Sequence, residues 1–152
     1  MMVQTAVRSL LTQSGLSLAD CLIAVNQTVF KNAQRLRTDR TLSLALLAYD
    51  PSTQQLSISG QHESVLLVKQ GALTELDTFD LGFPIGLEPD IQEFVHCQQC
   101  ELGLNDVVVL YTDGITEAEN ANREFYGLPR LMSVIETHWQ QPAMAIKQAI
   151  LK

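Results

Sequence analysis

The chain has 152 residues, 46% hydrophobic and 18% charged, a composition typical of one soluble globular domain spanning residues 1–152. Its formal charge of −7 argues against binding to nucleic acid or to an anionic membrane face, since both require a basic surface. No apolar run reaches membrane-helix length, no basic leader precedes an apolar core, and the cysteines number only three, so we expect a cytoplasmic protein with reduced thiols.

Two helical patterns open the chain. The apolar residues of 3–14 recur at helical spacing, and Gly15 ends this first pattern. Ser17 is then a plausible N-cap, with Asp20 three residues later, for a second helix whose apolar face extends to Phe30. Asn26 lies inside this second helix, and we expect it to face solvent or a loop. The basic residues near the helix end are interpreted as partners of the helix dipole rather than as a phosphate site.

Short strands separated by tight turns follow from Thr41 onward. Apolar runs and alternating segments follow one another, and turns are predicted at 50–53 and at Gln70-Gly71. Residues 79–90, which carry proline and glycine, are expected to cross over as a loop. The predicted strands are 41–49, 56–59, 65–68, 73–76, 91–102 and 107–110.

The last fifth of the chain is predicted to be helical, over Leu128–Trp139 and Pro142–Leu151. Helices before and after a block of mostly antiparallel strands indicate an α+β layered domain.

The stretch 105–117 carries the most chemistry. Val107–Leu110 predicts a buried strand, which stops at a carboxylate, Asp113, followed by Gly114, a residue that permits a sharp change of direction. A helical segment is expected to open at Thr116 or Glu117. An acid held at the end of a strand is a suitable ligand for Mg²⁺ or Mn²⁺. The same residues also fit a plain strand-to-helix turn in which Asp113 serves as a cap.

Several motifs resemble one known family. Leu-Tyr-Thr-Asp-Gly-Ile-Thr-Glu-Ala-Glu-Asn (110–120) and Glu-Phe-Tyr-Gly-Leu-Pro-Arg-Leu (124–131) resemble the signature of the SpoIIE/RsbU-type serine phosphatases, in the metal-dependent protein phosphatase (PPM) superfamily. Ser-Gly-Gln-His (59–62) resembles that family's Ala-Gly-His turn, and Gly-Phe-Pro-Ile-Gly (82–86) resembles its Gly-x-Pro-Leu-Gly segment. The matches cover nearly the whole chain and keep their order.

The resemblance implies a fold and a function. The fold would be part of the α-β-β-α sandwich of the PPM type. The activity would be hydrolysis of phosphoserine or phosphothreonine on a small regulatory protein, of the anti-sigma-factor-antagonist type, in signal transduction. Two Mn²⁺ or Mg²⁺ ions would serve as cofactors. Asp113 and Gly114 would contribute to the metal site, and Thr112 and Glu117 would orient groups around it.

The chain also departs from the family pattern. The family's other metal-binding acids come from segments before the first helix and after the last one, and neither segment occurs between Met1 and Lys152. We therefore expect a phosphatase domain trimmed at both ends and inactive by itself. The alternative is a catalytically degenerate pseudo-phosphatase that acts as a protein-binding module. Strands that lack their neighbours predict a homodimer.

The run His-Cys-Gln-Gln-Cys at 96–100 invites a zinc or redox interpretation, which we reject. A strand sends Cys97 and Cys100 to opposite faces, and the other candidate ligands are scattered singly. His62 is interpreted as a hydrogen-bonded turn residue rather than a catalytic acid.

Overall fold

A computed structural model describes residues 15–38 and 41–152. The chain divides into two compact units, each assembled from two segments of sequence. Unit 1 combines the described residues up to His62 with Thr78–Glu101, and unit 2 combines Glu63–Asp77 with Leu102–Lys152. The assignment of residues 1–152 to one domain stays a prediction, and the predicted helix over 3–14 lies outside the described residues.

In the described part of the chain, the elements in order are α1 (Leu18–Leu36), β1 (Leu44–Asp50), β2 (Gln55–Gln61), β3 (Val65–Lys69), β4 (Ala72–Leu76), β5 (Cys97–Glu101), β6 (Val107–Val109), α2 (Asp113–Thr116), α3 (Leu128–His138) and α4 (Ala143–Ile150). Two short 3₁₀ helices, Phe79–Leu81 and Gln92–Phe94, lie between β4 and β5.

Helix α1 of unit 1 begins where the sequence predicts. The Asp20 N–H donates to the Ser17 hydroxyl oxygen (3.1 Å), and the Ser17 N–H donates to the Asp20 carboxylate (3.3 Å), which completes a capping box. The helix ends at Arg37, a residue in the left-handed conformation (φ 50°). Its apolar face packs into a core completed by the segment 85–95, with buried members Leu22, Val25, Val29, Ile85, Ile91 and Val95.

The sheet of unit 1 has the order β1-β2-β5, and both pairings are antiparallel. The predicted strand 41–49 begins later than expected, at Leu44, while Leu42 makes an isolated bridge to Ile85. The predicted strand 91–102 is wrong over its first half. The Asp90 carboxylate accepts a hydrogen bond from the Gln92 N–H (3.0 Å) and opens the 3₁₀ turn, so pairing begins only at Cys97.

The sheet of unit 2 has the order β4-β3-β6 and is also antiparallel. The predicted hairpin turn is confirmed, since Gln70 and Gly71 both have positive φ (50° and 85°), as a turn matched to the strand twist requires. β3 lies in the middle, and its side chains Leu66 and Val68 form a core with Leu131 of helix α3.

The loop before β6 is fastened to the hairpin by one carboxylate. Asp106 accepts hydrogen bonds from the backbone N–H groups of Gly103 (2.7 Å) and Gln70 (3.0 Å).

Both C-terminal helices are confirmed. Pro129 lies in the first turn of α3, and Pro142 precedes α4. Among the described helices, none combines the length and the hydrophobicity needed to cross a membrane.

Candidate functional site

The candidate site lies in unit 2, where β6 gives way to the short helix α2. The Ile115 N–H donates to the Thr112 carbonyl (2.9 Å), and the Glu117 N–H donates to the Asp113 carbonyl (2.7 Å). These bonds make 113–116 a single helical turn, which is separated from the end of β6 by three residues. The prediction that a helix opens at Thr116 or Glu117 is therefore wrong, because those residues end this turn.

Asp113 is the first residue of α2, and its side chain is exposed. The N-cap position belongs to Thr112, whose side chain makes no capping hydrogen bond. Within the described residues the Asp113 carboxylate has no hydrogen-bond or ion-pair partner. The interpretation of Asp113 as a structural cap is therefore wrong, and its oxygens are open to a partner from outside the described chain.

Gly114 has an ordinary helical backbone, and it is not among the glycines with positive φ. The chain does change from strand to helix here, but this change does not require a positive φ at Gly114. A Cβ built there would meet a single neighbour within 4 Å, the Thr112 hydroxyl oxygen at 3.5 Å. The space above Gly114 is open, so a ligand could approach its backbone closely.

The two predicted orienting residues bracket α2. Thr112 precedes it and Glu117 follows it, and both are exposed. The structure thus places all four predicted site residues on one turn of chain, and their roles at a metal stay predictions.

The second half of the matched signature folds back onto α2. The Gly127 N–H donates to the Thr116 carbonyl and the Tyr126 N–H donates to the Ala118 carbonyl, both at 2.8 Å. The Asn120 side chain closes the loop by accepting from the Glu124 N–H (3.0 Å). The conformation of residues 117–127 is therefore set by its own hydrogen bonds.

Tyr111, two residues before Asp113, has two acidic side chains in its surroundings. Burial raises the pKa of the Tyr111 hydroxyl, and the carboxylates of Glu63 and Glu75 raise it further, against a smaller opposing hydrogen bond with Ser64. The phenol therefore stays protonated at neutral pH. Anionic side chains around the strand end are the environment in which a cation is attracted.

Two other matched segments meet in unit 1 through their glycines. Gly60 pairs with Ala45 at φ +99°, and a Cβ there would lie 2.2 Å from the Leu44 carbonyl oxygen. A Cβ on Gly82 would lie 2.6 Å from the Gly60 Cα. The segment 59–62 is not the predicted turn, because β2 continues to Gln61. Its glycine instead allows two backbones to touch.

Asn26 fastens the second of these segments to α1. Its side-chain amide donates to the carbonyls of Glu88 (2.9 Å) and Pro89 (3.4 Å), and its oxygen accepts from the Gly86 N–H (2.8 Å). Asn26 is fully buried, so the solvent alternative is wrong and the loop alternative is confirmed. The sequence held a signal for this, since Asn26 lies four residues after buried Leu22 on the same helical face.

Comparison with protein families matches residues 1–152 to Stage II sporulation protein E (SpoIIE). The chain belongs to the SpoIIE family. The family resemblance of its motifs is thereby confirmed. A comparison with curated proteins finds no match.

Two solved structures share the fold of this SpoIIE-family chain. The SiaA-PP2C domain of Pseudomonas aeruginosa is 20% identical with a TM-score of 0.79, and the match covers 99% of this chain and 58% of that one. The RsbU and RsbW domains of Rv1364c from Mycobacterium tuberculosis are 16% identical with a TM-score of 0.77. That match covers 98% of this chain and 40% of the other chain. The chain thus spans about half the length of these proteins. At such identities the likeness shows the fold, and the predicted partial α+β fold of the PPM type is confirmed.

The donors of this SpoIIE-family chain do not amount to a metal site by themselves. Among the described residues, no group of three or more His, Cys, Asp or Glu side chains is arranged to hold an ion. Hard divalent cations require several oxygen ligands. Asp113 can supply one carboxylate, so the described residues do not fit a complete Mn²⁺ or Mg²⁺ centre.

The remaining titratable candidates lie in unit 1. The exposed His62 shares a hydrogen bond between its Nδ1 and the Ser43 hydroxyl (2.9 Å). Cys97 and Cys100 lie on β5 opposite Ser59 and Leu56, and both are unbridged thiols. Burial raises the pKa of the Cys21 thiol, with a further contribution from Asp20.

Proposed function

We propose that this chain is a module of a metal-dependent protein serine/threonine phosphatase. Its substrate would be phosphoserine or phosphothreonine on a small cytoplasmic regulatory protein of the anti-sigma-factor-antagonist type, in a signalling pathway. One observation carries this proposal. In this SpoIIE-family chain, Asp113 lies on the first turn after β6, and no described residue engages its carboxylate. A solvent-exposed acid that the fold does not use is available for chemistry.

Each predicted residue has a role in this proposal. Asp113 contributes a carboxylate to the metal site, and Gly114 leaves its backbone open to close approach. Thr112 and Glu117, at either end of α2, orient groups around that site. When bound in a complete family site, two Mn²⁺ or Mg²⁺ ions would supply electrostatic stabilisation to the phosphoryl group. Because the described residues give Asp113 no partner carboxylates, we expect residues 1–152 to be inactive alone.

The second candidate is a pseudo-phosphatase that keeps a binding surface without chemistry. A different observation favours it, since the described residues contain no cluster of three metal-binding side chains. The two candidates differ in what a longer protein containing this chain does with a phosphorylated substrate.

Turnover of an aryl phosphate with Mn²⁺ tests both candidates. Residues 1–152 should hydrolyse p-nitrophenyl phosphate no faster than buffer alone, and turnover that disappears in Asp113→Ala would overturn this expectation. In a longer protein containing this chain, Asp113→Ala should abolish activity while the circular dichroism spectrum is kept. Glu136→Ala, which removes another exposed acid on α3, is the control and should keep activity. A longer protein without any activity would favour the pseudo-phosphatase.

We further propose that the chain forms a two-fold homodimer through the open edge of β6. Within the described residues β6 pairs only with β3. Beside it lies an apolar cavity of about 360 Å³, lined on one side by β6 and on the other by Ile146 and Ile150 of α4. An unpaired apolar edge is a template for another strand.

Light scattering at micromolar concentration tests this association. We expect a mass of twice 16.9 kDa, and Leu110→Lys, which places a charge on an exposed side chain of the cavity, should give monomers. Leu36→Lys is the control, because it charges an equally exposed leucine of unit 1 and should leave the dimer intact. If unsubstituted residues 1–152 are monomeric at this concentration, the proposal is contradicted.

A further inference from the structure

A groove in unit 1 gathers large apolar side chains that remain open to solvent. Phe79, Leu87 and Phe94 keep 66%, 50% and 45% of their surface exposed, and all three line the same cavity of about 560 Å³. Phe83, which also lines it, stacks on Phe94 with ring centroids 4.6 Å apart. A cluster of large exposed apolar side chains of this kind often marks a binding site.

The walls of this aromatic groove are held in place by the rest of unit 1. Gly82 touches the backbone of Gly60, and the Ile85 N–H donates to the Leu42 carbonyl (2.9 Å). The His96 N–H donates to the Leu81 carbonyl (3.3 Å), and Asn26 fixes the segment 86–89. The groove therefore exists before a ligand arrives, which reduces the entropy lost on binding.

The two carboxylates that line the groove, Asp80 and Glu93, are the charged part of a lining that also contains His96. The exposed residues Glu88 and Asp90 lie on the segment between its walls. Among the residues that line the groove there is no lysine or arginine, and Arg37 lines a separate cavity that shares Leu87 with it. An anionic rim repels nucleic acids, anionic membranes and acidic peptides, and it attracts a basic segment.

We propose that the aromatic groove docks a segment of a partner protein in which apolar side chains are flanked by lysine or arginine. The apolar side chains would fill the space between Phe79, Leu87 and Phe94, and the flanking cations would meet Asp80 and Glu93. Buried aromatic anchors surrounded by a charged rim are the usual anatomy of such a surface. This binding site goes beyond the proposed phosphatase activity and uses none of its residues.

Fluorescence anisotropy with defined peptides tests this docking site. The first peptide is a fluorescein-labelled nonapeptide with a central tryptophan and leucine between pairs of lysines. A second peptide replaces the lysines by glutamates, and a third replaces the tryptophan and leucine by serines. We expect saturable binding of the first peptide to residues 1–152 and at least about tenfold weaker binding of the other two, since both contributions are needed.

Variants locate the binding. Leu87→Ser and Glu93→Lys should each weaken binding of the first peptide by about fivefold or more. Leu104→Ser, which removes a leucine that is 90% exposed in unit 2, and Glu136→Lys are the matched controls and should bind like the parent. Circular dichroism checks that each variant is folded.

Three outcomes would overturn the proposal. Equal binding by Leu87→Ser, Glu93→Lys and the parent would place the peptide elsewhere. Equal binding of the first and third peptides would reduce the effect to charge alone. Light scattering that shows Leu87→Ser dissociating a dimer would instead make a second copy of the chain the occupant of the groove.

Discussion

The glycines of the family motifs serve opposite purposes in the two units. In unit 1, Gly60 and Gly82 are required by the chain itself, because a Cβ at either position would overlap backbone atoms. In unit 2, Gly114 is required neither by its backbone conformation nor by its neighbours. The fold therefore explains the motif glycines of unit 1, whereas the role of Gly114 toward a ligand stays a proposal.

The polar residues of the two units show the same contrast. Asn26 is fully buried in unit 1, and both ends of its amide are hydrogen-bonded. Asp113 of unit 2 is exposed, and its carboxylate has no partner in the described chain. Substitutions at these positions should therefore separate residues that stabilise the fold from residues that serve function.

The largest loss of stability is expected for Gly60→Ala. The new Cβ would overlap the Leu44 carbonyl oxygen at a positive φ, so the free energy of unfolding should fall by about 3 kcal/mol or more. Gly15→Ala is the control, because Gly15 also has a positive φ (+104°) but no atom within 4 Å of its Cβ position. Its loss should be about 1 kcal/mol. Urea unfolding followed by circular dichroism measures both, and equal losses would show that packing at Gly60 is unimportant.

Asn26→Ala should be the next most damaging change. It leaves the Gly86 N–H and the Glu88 carbonyl without their partner inside unit 1, at a cost of about 2–3 kcal/mol. Asn32→Ala, on the same helix, removes a bond to the Thr28 carbonyl alone and should cost less than about 1 kcal/mol. If the two variants unfold at the same urea concentration, the Asn26 hydrogen bonds do not stabilise the loop.

Asp106→Ala removes the side-chain hydrogen bonds that hold the loop before β6 to the hairpin of unit 2. Its carboxylate accepts from two backbone N–H groups but is only half-buried, so water can replace part of what is lost, and we expect about 1 kcal/mol. Asp106→Asn keeps an oxygen acceptor and should retain part of this stability. A loss for Asp106→Ala as large as that for Asn26→Ala would contradict the contrast between the units.

The smallest effect on stability is expected for Gly114→Ala. Alanine is favoured over glycine inside a helix, so the free energy of unfolding should stay constant or rise by about 0.5 kcal/mol. In an active longer protein that contains this chain, the same substitution should lower activity, because the Cβ occupies the open space over the backbone. A destabilised but fully active variant would show that Gly114 serves the fold.

Local signals in the sequence predicted most of the helices and the hairpin of unit 2. The capping box of Ser17 and Asp20, the turn at Gln70-Gly71 and the proline before α4 each depend on residues close in sequence. The segment 91–96 is predicted as strand from its sequence, but in the structure it contains a 3₁₀ turn. Its apolar residues Ile91 and Val95 pack in the core with α1, and local sequence does not reveal this tertiary contact.

The candidate site could be predicted in part. The family signature pointed to Asp113, but the local sequence fitted a metal ligand and a helix cap equally well. The structure removes the cap interpretation, because Thr112 holds the N-cap position. For Asn26, solvent and a loop stay open as alternatives in the sequence, although its spacing from Leu22, which places it on the buried face of α1, favours the loop.

The interleaving of the two units has a consequence during synthesis. The buried strand β3 pairs with β6, about 40 residues later in the chain, and Leu66 and Val68 pack against Leu131 of α3, which is translated later still. At about 5–20 residues per second, the apolar strand waits several seconds on the ribosome before its partners emerge. Its run Val65–Val68 is apolar and uncharged, the type of segment that seeds aggregation. Slow translation or a destabilised α3 should therefore lower the soluble yield more than the equilibrium stability of the native chain suggests.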